Sequence, residues 1–127
     1  MAKTKKRRGT VLLVEDDAIL AFSLAEAFID AGAADVRTCA RADEGVAAMA
    51  DRLPDLLVLD CTLTDSDDGW GLAEIASHLF NPTPQIIFST GSPDRIPPHL
   101  ARLGKVIAKP CDPRVLAEEG MAMIAKR

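Results

Sequence analysis

Four segments of this chain, Thr10–Val14, Asp55–Leu59, Gln85–Ser89 and Lys105–Ala108, hold apolar strings without alternation and read as strands. A strand with no polar face must be covered on both sides, and sheets of that kind are parallel, with helices as crossovers. The intervening segments have helical character. Ala18–Ala31 puts Leu20, Leu24, Ala27, Phe28 and Ala31 on one face, and Gly32 is suited to stop it. Asp35–Cys39 reads as a further short strand, with Asp43–Ala50 and Trp70–Leu79 as helices. Asp112-Pro113 supplies an N-cap and first-turn pair for a last helix running to Ala125. Residues 91–104 hold three prolines and two glycines, so any helix there is short. Five such units in 127 residues make one domain. The expected architecture is α/β: a doubly wound five-stranded parallel sheet, order 2-1-3-4-5, with helices on both faces. Residues 1–9 are expected to form a disordered basic tail, and 10–127 the folded domain.

Charge narrows the partners. Five of the fifteen basic residues (Lys3, Lys5, Lys6, Arg7, Arg8) stand at the start, leaving ten bases against nineteen acids over the rest. An acidic body with no recurring basic stripe argues against nucleic acid as partner. No apolar run is long enough to span a membrane. The basic start followed by Val11–Val14 imitates a secretory signal, but Glu15-Asp16-Asp17 ends the apolar run too soon. Cys39, Cys61 and Cys111 are odd in number and form no C-x-x-C pair, which suits reduced thiols in a cytoplasm.

In doubly wound sheets the ligand site lies beyond the carboxyl ends of the strands. The residues at and just past each strand end are therefore the informative set: Glu15, Asp16 and Asp17 after the first, Asp60 after the third, Ser89-Thr90-Gly91 at the fourth, Lys109-Pro110 after the fifth. Each residue alone has an ordinary explanation. Asp16 or Asp17 would cap a helix, Asp60 would solvate a loop, Thr90 would serve a turn, and Lys109 would face water. Four such accidents at four matching strand ends are improbable together. Clustered carboxylates repel unless a cation intervenes, and oxygen ligands without His or Cys select a hard ion, Mg²⁺ above others.

These residues resemble the receiver domain of two-component response regulators over about residues 10–125. The resemblance is carried by V-L-L-V-E-D-D, P-D-L-L-V-L-D, S-T-G and K-P, with the family's usual interval from Asp16 to Asp60. It implies a flavodoxin-like fold and a phosphoacceptor, not an enzyme. Glu15 and Asp16 fall on the acid pair, Asp60 on the phosphoacceptor, Lys109 on the invariant lysine and Thr90 on the switch hydroxyl. Mg²⁺ would be held by Asp16, Asp60 and the Thr62 carbonyl, with Glu15 acting directly or through water. The Lys109-Pro110 bond would be cis. The implied partners are a sensor histidine kinase or a histidine phosphotransfer protein, with phosphorylation-dependent binding of a further protein as output. Phe88-Ser89-Thr90-Gly91 is similar to a Phe-Ala-Thr-Gly motif of a stand-alone subset whose fourth helix is reduced or mobile. That likeness favours Thr90 over Ser89.

Several positions depart from the family pattern. Val106 stands where receivers commonly carry Tyr or Phe, so an aromatic switch is excluded and output is expected from residues 91–104. The loop Cys61–Asp68 lacks the usual Pro. Its Asp65, Asp67 and Asp68 echo a calcium loop, but Trp70 falls where the obligatory Gly would be. Trp70 is expected to pack a helix, and His78 and His99 have no metal-ligand spacing. Two rival functions remain. An aspartate-nucleophile phosphatase is echoed by Asp60-Cys61-Thr62-Leu63-Thr64, but Thr62 replaces the second Asp such enzymes need. The other rival is a phosphorylation-independent adaptor on the same fold.

Overall fold

The computed structural model describes residues 6–60 and 68–126. Five parallel strands, β1 (Thr10–Val14), β2 (Asp35–Cys39), β3 (Leu56–Asp60), β4 (Gln85–Thr90) and β5 (Lys105–Ala108), form one sheet in the order β2-β1-β3-β4-β5. Helices α1 (Ala18–Asp30), α2 (Ala42–Asp51), α3 (Asp68–Leu79), α4 (Pro98–Ala101) and α5 (Pro113–Ala125) connect or follow them. The doubly wound order expected from the apolar strings is the one observed. The fourth helix is indeed stunted: a 3₁₀ turn at Pro93–Arg95 and the four residues of α4 are all that residues 91–104 contribute. Pro97 and Pro98 lack the amide hydrogens a longer helix through this segment would need.

Alternation along each strand sorts its side chains into two layers. Val11, Leu13, Leu56, Val58 and Ile87 pack against Leu24 and Phe28 of α1 and Leu116, Ala117 and Ile124 of α5. Leu12, Val14, Leu57, Leu59, Ile86 and Phe88 pack against Met49 of α2, Leu72, Ala73 and Ala76 of α3, and Leu100 of α4. The central strands are thus buried on both faces. Trp70 packs against the second layer, as a helix-packing residue should.

Two boundaries differ from expectation by more than one residue. The folded body starts before Thr10. The Arg8 N–H donates to the Gly32 carbonyl at 2.9 Å, the Gly9 carbonyl accepts from Ala34 N–H at 2.9 Å, and Arg7 donates to the Ile29 carbonyl at 2.5 Å. A tail reaching to residue 9 is therefore too long, because residues 7–9 cover the turn after α1. Helix α3 begins at Asp68, ahead of the Trp70 that opens its apolar pattern.

Gly104, just ahead of β5, lies against the backbone of β4. A Cβ there would meet the Ile86 carbonyl oxygen at 2.2 Å, a backbone atom that cannot step aside. We expect Gly104→Ala to lower the unfolding free energy by about 1–3 kcal/mol, the usual range for overpacking. Urea unfolding measures it, and an unchanged midpoint would show that β5 can shift to make room.

Candidate functional site

Strand parity brings the chemistry together. Glu15, Asp60, Ser89 and Lys109 each stand two residues beyond a member of the α1–α5 layer: Leu13, Val58, Ile87 and Ile107 respectively. They leave the carboxyl edge on one side of the sheet, across the point where the strand order reverses. Ladder hydrogen bonds fix two of them. Glu15 N–H donates to the Cys39 carbonyl at 2.9 Å, and Lys109 N–H donates to the Thr90 carbonyl at 2.7 Å.

Lys109 is the hub. Its Nζ donates to Asp60 Oδ1 at 2.6 Å and lies 3.7 Å from Glu15 Oε1. The Asp60 side chain is only 3% exposed and that of Lys109 21%, so this pair is screened little by water. The Lys109–Pro110 peptide is cis. The three acids after β1 divide their labour. Asp17 is the N-cap of α1, its carboxylate accepting from the Ile19 and Leu20 N–H groups at 2.9 and 3.1 Å. Asp16 is exposed and free of that duty. One carboxylate oxygen from each of Glu15, Asp16 and Asp60 falls within 4.8 Å of the others, and this is the metal-competent cluster among the described residues.

Three carboxylates against one ammonium leave excess negative charge in a largely buried place. The Glu15 carboxyl is pushed up to about 8, chiefly by burial, next by a hydrogen bond shared with Asp60, and further by the Asp60 charge; the Asp17 N–H and Lys109 oppose the rise. A divalent cation relieves this repulsion. The donor set is all oxygen, which fits Mg²⁺.

The hydroxyl expectation needs correction. Thr90 follows Phe88 and belongs to the opposite layer. Its Oγ1 accepts from Ser92 N–H at 3.0 Å, and the residue is 2% exposed, so it fastens the next turn instead of facing the acids. Ser89 is registered directly beside Asp60 on the neighbouring strand. It lines a cavity together with Lys109. Parity, which depends on where β4 starts pairing, was the missing signal: a Thr-Gly motif carries no register.

Of the remaining expected residues, Thr62, Cys61, Asp65 and Asp67 lie outside the described ones. Cys39 and Cys111 are free thiols, and burial followed by the Glu44 charge raises the Cys39 thiol. His99 stands 3.6 Å from Glu74, an exposed pair joining α4 to α3. Val106 is a partly buried packing residue of the second layer.

Fold and pocket together define a doubly wound α/β domain with an acid–lysine site at its switch point. The family model for the response regulator receiver domain matches residues 11–119, and the chain belongs to that family. Among solved structures it is similar to the receiver domain of NtrX from Brucella abortus, at 27% identity and TM-score 0.75, covering 92% of this chain and 99% of that one. A longer NtrX chain from the same organism, crystallised with ADP, matches at 26% identity and TM-score 0.75 over 93% of this chain, yet this chain spans only 27% of it. The CheY-like receiver domain from Methylobacillus flagellatus, at 20% identity and TM-score 0.78, shares the fold over 94% of this chain and 99% of its own. No curated protein matches the chain.

The raised Glu15 carboxyl has a signed consequence. Its folded pKa lies above its unfolded value of 4.5, so the stability it contributes is complete below 4.5 and is lost as pH rises through about 8. Thermal unfolding without divalent metal should show a melting temperature that falls across that window. Glu15→Gln should flatten the fall, and Mg²⁺ should raise the melting temperature more at pH 8 than at pH 5. An identical slope in Glu15→Gln would remove Glu15 as the cause.

Proposed function

We propose that Asp60 accepts a phosphoryl group from a phosphohistidine of a sensor histidine kinase or histidine phosphotransfer protein. The phosphorylated domain then signals by binding another protein. The observation that carries this reading is the Lys109–Asp60 contact at 2.6 Å, with Glu15 and Asp16 oxygens gathered beside it. Family membership supports the same reading. The domain is a phosphoacceptor that takes part in its own transfer and slow dephosphorylation, without turnover of other substrates.

In the transfer, a carboxylate oxygen of Asp60 attacks phosphorus as the bond from phosphorus to the histidine nitrogen breaks. The nitrogen keeps the electron pair and takes a proton. Glu15, Asp16, Asp60 and the Thr62 carbonyl are the residues proposed to hold Mg²⁺, which when bound neutralises charge on the phosphoryl oxygens. Lys109 leaves its hydrogen bond with the Asp60 oxygen for one with a phosphoryl oxygen. Ser89, on the same side of the sheet, donates its hydroxyl to another.

Signalling needs a bistable element. Reversing a population from 1:99 to 99:1 takes about 5.5 kcal/mol, and a charge-assisted hydrogen bond contributes roughly 1.5–3 kcal/mol. One hydroxyl is therefore insufficient, whereas Ser89 and Lys109 together approach the requirement. Thr90 keeps a different part in the switch. Movement of Ser89 toward the phosphoryl group would pull on Thr90, whose hydroxyl holds Ser92 at the entry to residues 91–104. That segment, with its stunted helix, is the proposed output element. No helix of the described residues is long and apolar enough to cross a membrane, and a cytoplasmic site of action, without nucleic acid as partner, belongs to the same proposal.

Incubation with acetyl phosphate and Mg²⁺, followed on a phosphate-retarding gel, tests the assignment. Wild type should shift and Asp60→Asn should not; a shift that survives would place the phosphate elsewhere. Ser89→Ala should reduce the phosphorylated fraction or its rate roughly tenfold or more, as loss of a charge-assisted hydrogen bond implies. Thr90→Ala should remain within about twofold of wild type in acceptance. The opposite ranking of the two variants would return the phosphoryl contact to Thr90.

A further inference from the structure

Beside Lys109, lined by residues of α1, of α5 and of the turn that precedes α5, the structure holds a cavity of about 330 Å³. Leu20 and Leu24 of α1, Leu116 of α5 and Cys111 give it mostly apolar walls, while Ser89 and Lys109 supply polar atoms. Its size lies at the lower end of small-molecule sites, which run to about 300–1,000 Å³ and pair apolar walls with a few convergent polar groups. The Ser89 residue is 6% exposed. No hydrogen bond engages its hydroxyl among the described residues, and the cavity reaches it. Because the cavity reaches it, this hydroxyl is open to water, and a ligand acceptor atom would take that water's place.

We propose that this cavity binds a small hydrophobic molecule carrying one acceptor-oxygen head. The body lies against Leu20, Leu24 and Leu116, and the head receives hydrogen bonds from the Ser89 hydroxyl and the Lys109 ammonium. The head is assigned by complementarity. Lys109 offers donors only, Ser89 can donate, and no carboxylate is among the cavity's lining residues to welcome a cation. The head would occupy the donors that otherwise serve phosphoryl oxygens, so occupancy opposes phosphorylation. That second consequence rests on the phosphoacceptor reading; binding itself does not.

The test uses 3-phenylpropanoate as probe and 3-phenylpropylamine, with the same body and a cationic head, as comparison. Methyl spectra of the full chain are followed during titration of each. Saturable shifts at Leu20, Leu24 and Leu116 with the carboxylate, at least tenfold weaker with the amine, are expected. Ser89→Ala should weaken carboxylate binding roughly three- to tenfold, in line with one lost hydrogen bond. Carboxylate binding should also slow alkylation of Cys111 by iodoacetamide in the wild-type chain, a readout that needs no variant. Equal affinity for both heads, shifts confined to the exposed Ile19 and Phe22, or no saturable shift would overturn the site. A parallel acetyl phosphate assay separates the two claims. Phosphorylation unaffected by saturating probe overturns the competition, whereas Asp60 taking no phosphate even without probe counts against the phosphoacceptor reading and leaves the cavity result intact.

Discussion

The contact between Lys109 and Asp60 organises this molecule's chemistry. It ties the end of β3 to the residue after β5 across the intervening end of β4, and it sets one ammonium against a cluster that would otherwise be three mutually repelling acids. Burial sharpens the effect in both directions. It strengthens the attraction between the pair and raises the cost of ionising Glu15 beside it. The site is therefore poised for a hard cation and for a group that arrives with more negative charge. The sheet supplies the rigidity, since every member of the cluster is held at or next to a strand end.

Ser89 and Thr90 illustrate how adjacent residues in one strand divide two tasks. The pleat points Ser89 toward the acids and the α1–α5 layer and points Thr90 toward the α2–α4 layer. A displacement of this short piece of backbone reaches both sides of the sheet at once. On the far side it meets the 3₁₀ turn and the four-residue α4, two short elements whose backbone hydrogen bonds span only three or four residues each. Val106, in place of an aromatic ring, leaves that far side without a large side chain to swing. The burden of change then falls on backbone and on Ile96 and Leu100, which anchor the segment to the core.

Much of this was legible in the sequence because burial on both faces writes itself as unbroken apolar runs. β1 and β5 begin and end where the sequence predicts, and the acids just past β1 and at the end of β3 announced the site by position. Other features depend on information that a linear reading lacks. Helix α3 starts ahead of its apolar pattern, with Asp68 and Gly69 in its opening turn, and neither is a marked helix former. Arg7, Arg8 and Gly9 read as a solvated tail because their partners, the carbonyls and amides around the turn after α1, are backbone groups invisible to side-chain pattern. The choice between Ser89 and Thr90 turned on pairing register, where a slip of one residue reverses every side chain. Asp16 and Asp17 are equally good caps by residue type, and only the turn into α1 decides that Asp17 takes the helix.

The most direct check on the central claim is chemical mapping of the acceptor. The protein is treated with acetyl phosphate and Mg²⁺, reduced with borohydride, digested and sequenced by mass spectrometry. An acyl phosphate is converted by that reduction to homoserine, which marks its position permanently. The account predicts homoserine at residue 60, and at no other aspartate of the cluster. Homoserine at Asp16 or elsewhere, with residue 60 recovered as aspartate, would contradict it.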